Sequence, residues 1–291
     1  MLFRKWREDL MKLQIKSPRR YVLDRLINQN PRFRMLLLGM FFPDRDMDIE
    51  LCGSRLRINT RKEFGFFRAA KLAQSNWVLG HEISVLTNLA FLLEPTDTFV
   101  DVGANVGLYA SIISRARSAF PEMKFYAFEP NPDTLKRLCE SLVGTNVQIF
   151  GCALSDREVE LEFCEGAGSA TFGIRREGNS LQMKGQTVRI QSVTLDSVPI
   201  EGDSIVLKID VENHEAEVLK GARQLLNSGR VKAVYVDSFA DKTIPAALRT
   251  LGFQLFDGHT LRRSESNSSL LAIHDKHLAR WAGLRRLSAT G

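Results

Sequence analysis

The chain has 291 residues, 44% of them hydrophobic and 25% charged, with a net charge of +6. That balance is ordinary for a soluble globular protein, and the chain is long enough to build its core without a disulfide scaffold. Its four cysteines (Cys52, Cys139, Cys152 and Cys164) form no C-x-x-C pair, which excludes a zinc or redox motif and fits a reducing, cytoplasmic setting. Cys139 and Cys164 lie in apolar stretches and are expected to be small buried hydrophobes.

Residues 1 to 40 hold ten Lys and Arg against three acidic residues, so the remainder is near neutral. This segment reads as helical, with Pro18 and Pro31 at first-turn positions. Its charge is either a solvated helical face or a contact for an anionic partner such as a membrane surface. The run Met35 to Phe42 is too short to span a bilayer. The first residues carry charges throughout, so no secretory signal is expected. MDIEL and RLRIN flank CGS and predict a hairpin. A helix is predicted over His81 to Glu94.

From residue 97 apolar strands and amphipathic helices alternate. DTFVDV, KFYAFE, NVQIFGCAL, SIVLKID and VKAVYVD read as strands. LYASIISRA, PDTLKRLCESL, EAEVLKGARQLL and TIPAALRTLG read as helices. VELEFC and TVRIQSV are short strands in an irregular insert, Gly166 to Gly185 is the most loop-like stretch, and SSLLAI is the last strand. The alternation predicts a parallel sheet covered on both faces. Ligands of such sheets bind beyond the carboxyl ends of the strands. There the sequence places Asp101, Glu129, Asp210 and Asp237.

FVDVGANVG is the first of these strand ends. Gly103 and Gly107 allow close backbone approach and turn conformations, and a helix starting near Asn105 turns N–H groups toward an anion. The G-x-G-x-x-G spacing fails at Asn105 and Leu108, and no G-K-[ST] follows, so a pyrophosphate or triphosphate is not expected. A carboxylate fits, as in the methionine part of S-adenosylmethionine (SAM). Asp101 then faces the ligand's ammonium group and Glu129 the ribose hydroxyls. ALSD follows the third strand, where Asp156 or the nearby backbone is expected either to meet the adenine of such a ligand or to form a simple turn.

VDVGANVGLYA, AFEPNPDTLKRL, ALSD, TLDSV and LKIDVENHEAEVLKGA, in this order over about residues 97 to 240, resemble the FkbM-type family of SAM-dependent methyltransferases. The resemblance implies a Rossmann-like class I methyltransferase fold, a mostly parallel sheet with helices on both faces. The first ninety residues carry no such motif and read as a helical extension with a short hairpin (1–90), ahead of the SAM-dependent domain over 91–291. The resemblance also implies methyl transfer to a hydroxyl of a small molecule or glycan, of sugar, polyketide or glycolipid type. Two positions depart from the family pattern. Asn213 stands where a glycine is usual, and asparagine tolerates the left-handed turn. Asp237 stands where glutamate is frequent.

Transfer to a hydroxyl needs a proton acceptor or a metal. KIDVENHE offers Asp210, Glu212 and His214 as catalytic candidates. In one mechanism Asp210 or His214 is the base. In the other, Asp210 and Asp237, with Glu212 or His214, hold Mg²⁺. Glu215 reads equally as a helix-capping acid. Lys208, in a buried strand on the same side as Asp210, needs a partner, either Asp101 or Glu212. His81, His259, His274 and His277 read as surface or capping residues. A nucleic-acid methyltransferase is the alternative raised by the basic first segment, but the amino-methylating N/D-P-P-Y/F/W signature is missing, so no nucleic-acid partner is expected. A non-catalytic SAM-fold binding protein is the other.

Overall fold

The computed structural model describes residues 44–71, 77–165, 172–174, 187–264 and 269–278. The basic segment 1–40 and nearly all of Gly166 to Gly185 therefore lie outside the described residues, as does the expected membrane contact. The predicted hairpin is β1 (Asp46–Leu51) paired antiparallel with β2 (Ser54–Asn59). Cys52 and Gly53 form its two-residue turn, both with positive φ (53° and 73°), which suits the right-handed twist of the strands. Helices α1 (Phe64–Lys71) and α2 (Trp77–Leu92) follow.

The main domain then alternates as expected: β3 (Thr98–Val102), α3 (Leu108–Ser114), β4 (Lys124–Phe128), α4 (Pro132–Ser141), β5 (Gln148–Phe150) and β6 (Ala153–Leu154). The insert forms β7 (Glu160–Glu165), β8 (Phe172–Ile174) and β9 (Thr187–Val193). The chain continues through β10 (Ile205–Ile209), α5 (Glu215–Gly221), α6 (Arg223–Asn227), β11 (Val231–Asp237), α7 (Ile244–Thr250), β12 (Phe253–Asp257) and β13 (Ser269–His274).

Seven strands form the central sheet in the order β12-β13-β11-β10-β3-β4-β5. β11, β10, β3, β4 and β5 pair in parallel, while β13 runs antiparallel to both β11 and β12. This is the class I methyltransferase fold. Two details differ from the sequence reading. NVQIFGCAL divides at Gly151 into β5 in the central sheet and β6 in a separate sheet ordered β6-β9-β7-β8. FQLFD was not foreseen as a strand, and it forms the sheet edge as β12.

Alternate residues of the buried strands face opposite cores, as a pleat requires. Phe99 and Val206 pack with the hairpin, α1, α2 and α3. Val100, Val102, Leu207 and Ile209 pack with α5, α6 and α7. Leu56 and Ile58 of the hairpin are fully buried in the first of these cores. Each such side chain contributes about 1.5–3 kcal/mol, so the hairpin is fastened to the sheet and does not hang from it. Arg137 on α4 adds a polar tie. It pairs at 2.8 Å with Glu63, whose Oε2 accepts the Asn59 N–H. Cys139, by contrast with expectation, is exposed. Its helix buries Thr134, Arg137, Leu138 and Ser141, and position 139 falls on the other side.

Candidate active site

The strand order reverses between β3 and β10, and there the two strand ends meet. An added Cβ on Gly103 would lie 1.8 Å from the Asp210 carbonyl oxygen, and Gly103 has φ 75°. Glycine is needed here because another backbone passes where a side chain would begin. Gly103 and Ala104 both donate N–H to the Phe128 carbonyl, at 3.0 and 2.9 Å. Beside this turn opens a cavity of about 390 Å³, a size usual for small-molecule sites.

Gly103, Ala104 and Asn105 line one part of the cavity, and Glu129 and Pro130 adjoin them. Asn105 has φ 52° and donates its N–H to Glu129 Oε2 at 2.9 Å. Its side-chain Oδ1 is buried without a hydrogen-bond partner. Gly107 does not line the cavity. A Cβ there would sit 2.7 Å from Leu138 Cδ1, so its role is to let α4 pack against the turn, not to admit a ligand. Glu129 is 7% exposed, and its second oxygen accepts the Asn131 N–H at 2.9 Å. Burial pushes its carboxyl up to about 7 against the pull of these two N–H groups. Capping of α4 falls to Asn131, whose Oδ1 accepts from Asp133 and Thr134. Glu129 is therefore held at the cavity wall for a reason other than capping.

Asp101 departs from its expected role. It lies inside β3, fully buried, and does not line the cavity. Its register partner on β10 is Lys208. The Lys208 ammonium lies 3.0 Å from Asp101 Oδ1 and donates to the Gly103 carbonyl at 2.8 Å, while Asp101 Oδ2 accepts the Ala110 N–H. Asp101 thus neutralises a lysine and is not placed to meet a ligand ammonium. Burial alone would pull the Lys208 pKa down, but Asp101 and then Asp210 outweigh it and hold it above the ordinary lysine value. Lys208→Met would leave the Asp101 carboxylate buried and unpaired, a loss of about 3–5 kcal/mol. Urea denaturation is expected to show it, and to show most of it recovered in the double variant with Asp101→Asn.

Further along the cavity lie Asp210, Glu212, Asp237 and, from α2, Glu82. Asp210 Oδ2 is 3.5 Å from Lys208, as strand alternation predicts. Asp237 accepts the Tyr235 hydroxyl at 2.8 Å, and Glu82 accepts the Tyr109 hydroxyl at 2.7 Å. Burial, then the nearby charges of Asp210 and Asp237, raise Glu82 to about 7 against the Tyr109 bond and Lys208. Glu82 therefore holds its proton more tightly folded than unfolded. Its contribution to stability is complete below about pH 4.5 and lost once pH has passed about 7. Glu82→Gln lacks this dependence. Relative to wild type its melting temperature is expected to be higher at about pH 8 than at about pH 5; the same difference at both values would contradict the placement.

Asn213 adopts φ 67°, so the turn after Asp210 survives without glycine. His214 is 8% exposed and touches the cavity, but its Nε2 is 2.9 Å from Ser155 Oγ and its Nδ1 is 3.4 Å from Glu217. Both ring nitrogens face protein groups, and Ser155 is buried, so His214 ties the loop after β6 to α5 and is not poised as a base. Glu215 accepts the Asn213 N–H, the capping role expected of it. Asp156 faces Arg157 at 3.1 Å and does not line the cavity; Cys152, Ala153 and Leu154 do. Among the described residues no three His, Cys, Asp or Glu side chains converge to hold a metal ion. Asp210 and Asp237 line the same cavity. His259 is half-buried, stacked edge-on against His81 and bonded to Ser84, in place of the surface role expected.

Two groups of residues escaped the sequence reading. Glu82 is one. The other is Lys62, Glu63, Gly65, Phe66 and Arg68, which bring the start of α1 and the loop before it onto the cavity. Neither has a motif, and only the packing of the first segment on the sheet brings them there. No described helix is long and apolar enough to cross a membrane.

A methyltransferase FkbM domain model matches residues 101–255. The hexuronic acid methyltransferase AglP of Haloferax volcanii is 32% identical over 155 residues, covering 51% of this chain and 59% of AglP. The AMB antimetabolite synthetase AmbE of Pseudomonas aeruginosa is 37% identical over 83 residues, 28% of this chain and 4% of AmbE. The crystal structure of methyltransferase FkbM from Methylobacillus flagellatus KT aligns with a TM-score of 0.40 at 14% identity, over 63% of this chain and 45% of that one. The chain thus spans less than two thirds of the length of these relatives.

Proposed function

Because the chain belongs to the FkbM methyltransferase family, we propose that it carries a methyl group from SAM to a hydroxyl of a small molecule or glycan, of sugar type. One observation carries the reading: a single cavity joins the Asn105–Glu129 cradle to the Asp210 carboxylate.

The residues present fit SAM. Asn105 Oδ1, buried and unpaired, suits the donor's ammonium group. The bare backbone at Gly103 leaves room beside it. Each Glu129 oxygen accepts one backbone N–H and retains a lone pair for a ribose hydroxyl. Cys152, Ala153 and Leu154 give an apolar seat for adenine. SAM supplies an electrophilic methyl group on a sulfonium. The chain's own residues then orient the acceptor: Asp210 accepts the hydrogen bond of its hydroxyl and takes its proton, while Lys208 fixes the Asp210 carboxylate. The Asp237 and Glu82 carboxylates complete the wall. A sugar-type acceptor is supported by the likeness to AglP, named for a hexuronic acid. Mass spectrometry of a hydroxyl-acceptor screen with methyl-labelled SAM tests it. Label in an O-methyl product is the expected result. A protein that SAM fails to protect against heat would refute it.

A further inference from the structure

The wall facing the acceptor is made of carboxylates from three separate elements: Glu82 on α2, Asp210 and Glu212 after β10, and Asp237 at the end of β11. They act on one another. Asp210 and Asp237 bear on Glu82, and Asp210, Glu215 and Asp237 are the charges that bear on Glu212. The cation among them, Lys208, is shared between Asp101 at 3.0 Å, Asp210 at 3.5 Å and the Gly103 carbonyl. Lys62 and Arg68 also line the cavity, but Lys62 is bonded to Asp133 at 2.9 Å, and neither is among the charges that bear on Glu82, Glu212 or Asp237. The carboxylates are held in place. Tyr109, 6% exposed, donates to Glu82, and Tyr235, 3% exposed, donates to Asp237. The wall is therefore a fixed, partly desolvated negative surface, with more acid than one sulfonium balances.

Resting on the methyltransferase reading above, we propose that the acceptor bears no negative charge near its reacting hydroxyl and binds best when it bears an ammonium group there, as an amino sugar does. A carboxylate or phosphate on the acceptor would meet like charge in a site shielded from water, a strong means of rejection. An ammonium group would supply the counter-charge that the wall lacks. The acceptor so defined differs in charge from the hexuronic acid in the name of AglP. Glu82, which α2 brings from outside the residues matched by the family model, contributes to that selection.

The test compares methyl transfer from labelled SAM to methyl glycosides of glucosamine, glucose and glucuronic acid, at about pH 7, where most of the amine is protonated and the acid is ionised. The expected order of kcat/KM is amine over neutral over acid, with each step about tenfold or more. Glu82→Gln and Asp237→Asn are each expected to shrink the amine-over-acid ratio at least about threefold, whatever they do to the absolute rate. An acid turned over as well as the neutral sugar, an amine no better than it, or a ratio unchanged in both variants overturns the proposal. If no sugar is methylated although SAM binds, the amino-sugar class is wrong and the donor site stands. If SAM does not bind, the reading beneath it falls as well.

Discussion

Asp210→Asn is expected to lower kcat for methyl transfer by about 10³-fold, within the range that removal of a positioned proton acceptor produces, while the dissociation constant for SAM changes by no more than about threefold. The separation follows from where each part of residue 210 works. Its backbone makes the fold: the N–H donates to the Val102 carbonyl at 3.0 Å, and the carbonyl lies against Gly103. Asparagine leaves both intact. Lys208 keeps Asp101 as a partner at 3.0 Å, so no buried charge is stranded. Only the carboxylate facing the cavity changes, from a group that accepts a proton to one that does not. Rapid-quench measurement of the transfer step, beside calorimetric titration of SAM, reads the two quantities separately. A kcat within about threefold of wild type would remove Asp210 from the chemistry.

The second large effect belongs to Gly103. In Gly103→Ala the new Cβ starts 1.8 Å from the Asp210 carbonyl oxygen, at φ 75°. The strained conformation alone costs about 1–2 kcal/mol. The clash is with backbone, which moves only if the ends of β3 and β10 part. A total loss of about 3 kcal/mol or more is expected, together with a loss of SAM affinity of at least about 100-fold. Gly144→Ala isolates the first component. Gly144 has φ 81° and nothing within 4 Å of an added Cβ, so it is expected to cost about 1 kcal/mol and leave SAM binding unchanged. Denaturant titration of both variants, with and without SAM, gives the comparison. Equal costs for the two would deny the close approach at the strand ends.

The sequence made the strand ends legible because each apolar run stops at an acid. Glu129, Asp210 and Asp237 follow or close their strands and line the cavity as that pattern implies. The turn at Asn213 was also readable, since asparagine can take the left-handed conformation it adopts. Asp101 looked like its neighbours and was not. It is the fourth of five strand residues, and of its two expected roles the pairing with Lys208 is the one the structure shows, because β3 lies beside β10 in register. Gly107 misled for a similar reason: its bare α-carbon serves Leu138, thirty-one residues away. His214 stands in an acidic stretch that invites a catalytic role, yet Ser155 and Glu217 occupy its ring. Glu82 and the α1 residues were invisible because periodicity predicts an amphipathic helix but not which strand ends it roofs. β12 was missed because FQLFD is short and follows α7 with only two residues between.

A crystal structure of the chain with S-adenosylhomocysteine bound decides between these roles. It is expected to show the ribose hydroxyls on Glu129, the amino group at Asn105 Oδ1, adenine against Cys152 and Leu154, and the sulfur turned toward the Asp210 carboxylate. A nucleoside seated outside this cavity, or a sulfur turned away from Asp210 with another carboxylate in its place, would contradict the arrangement.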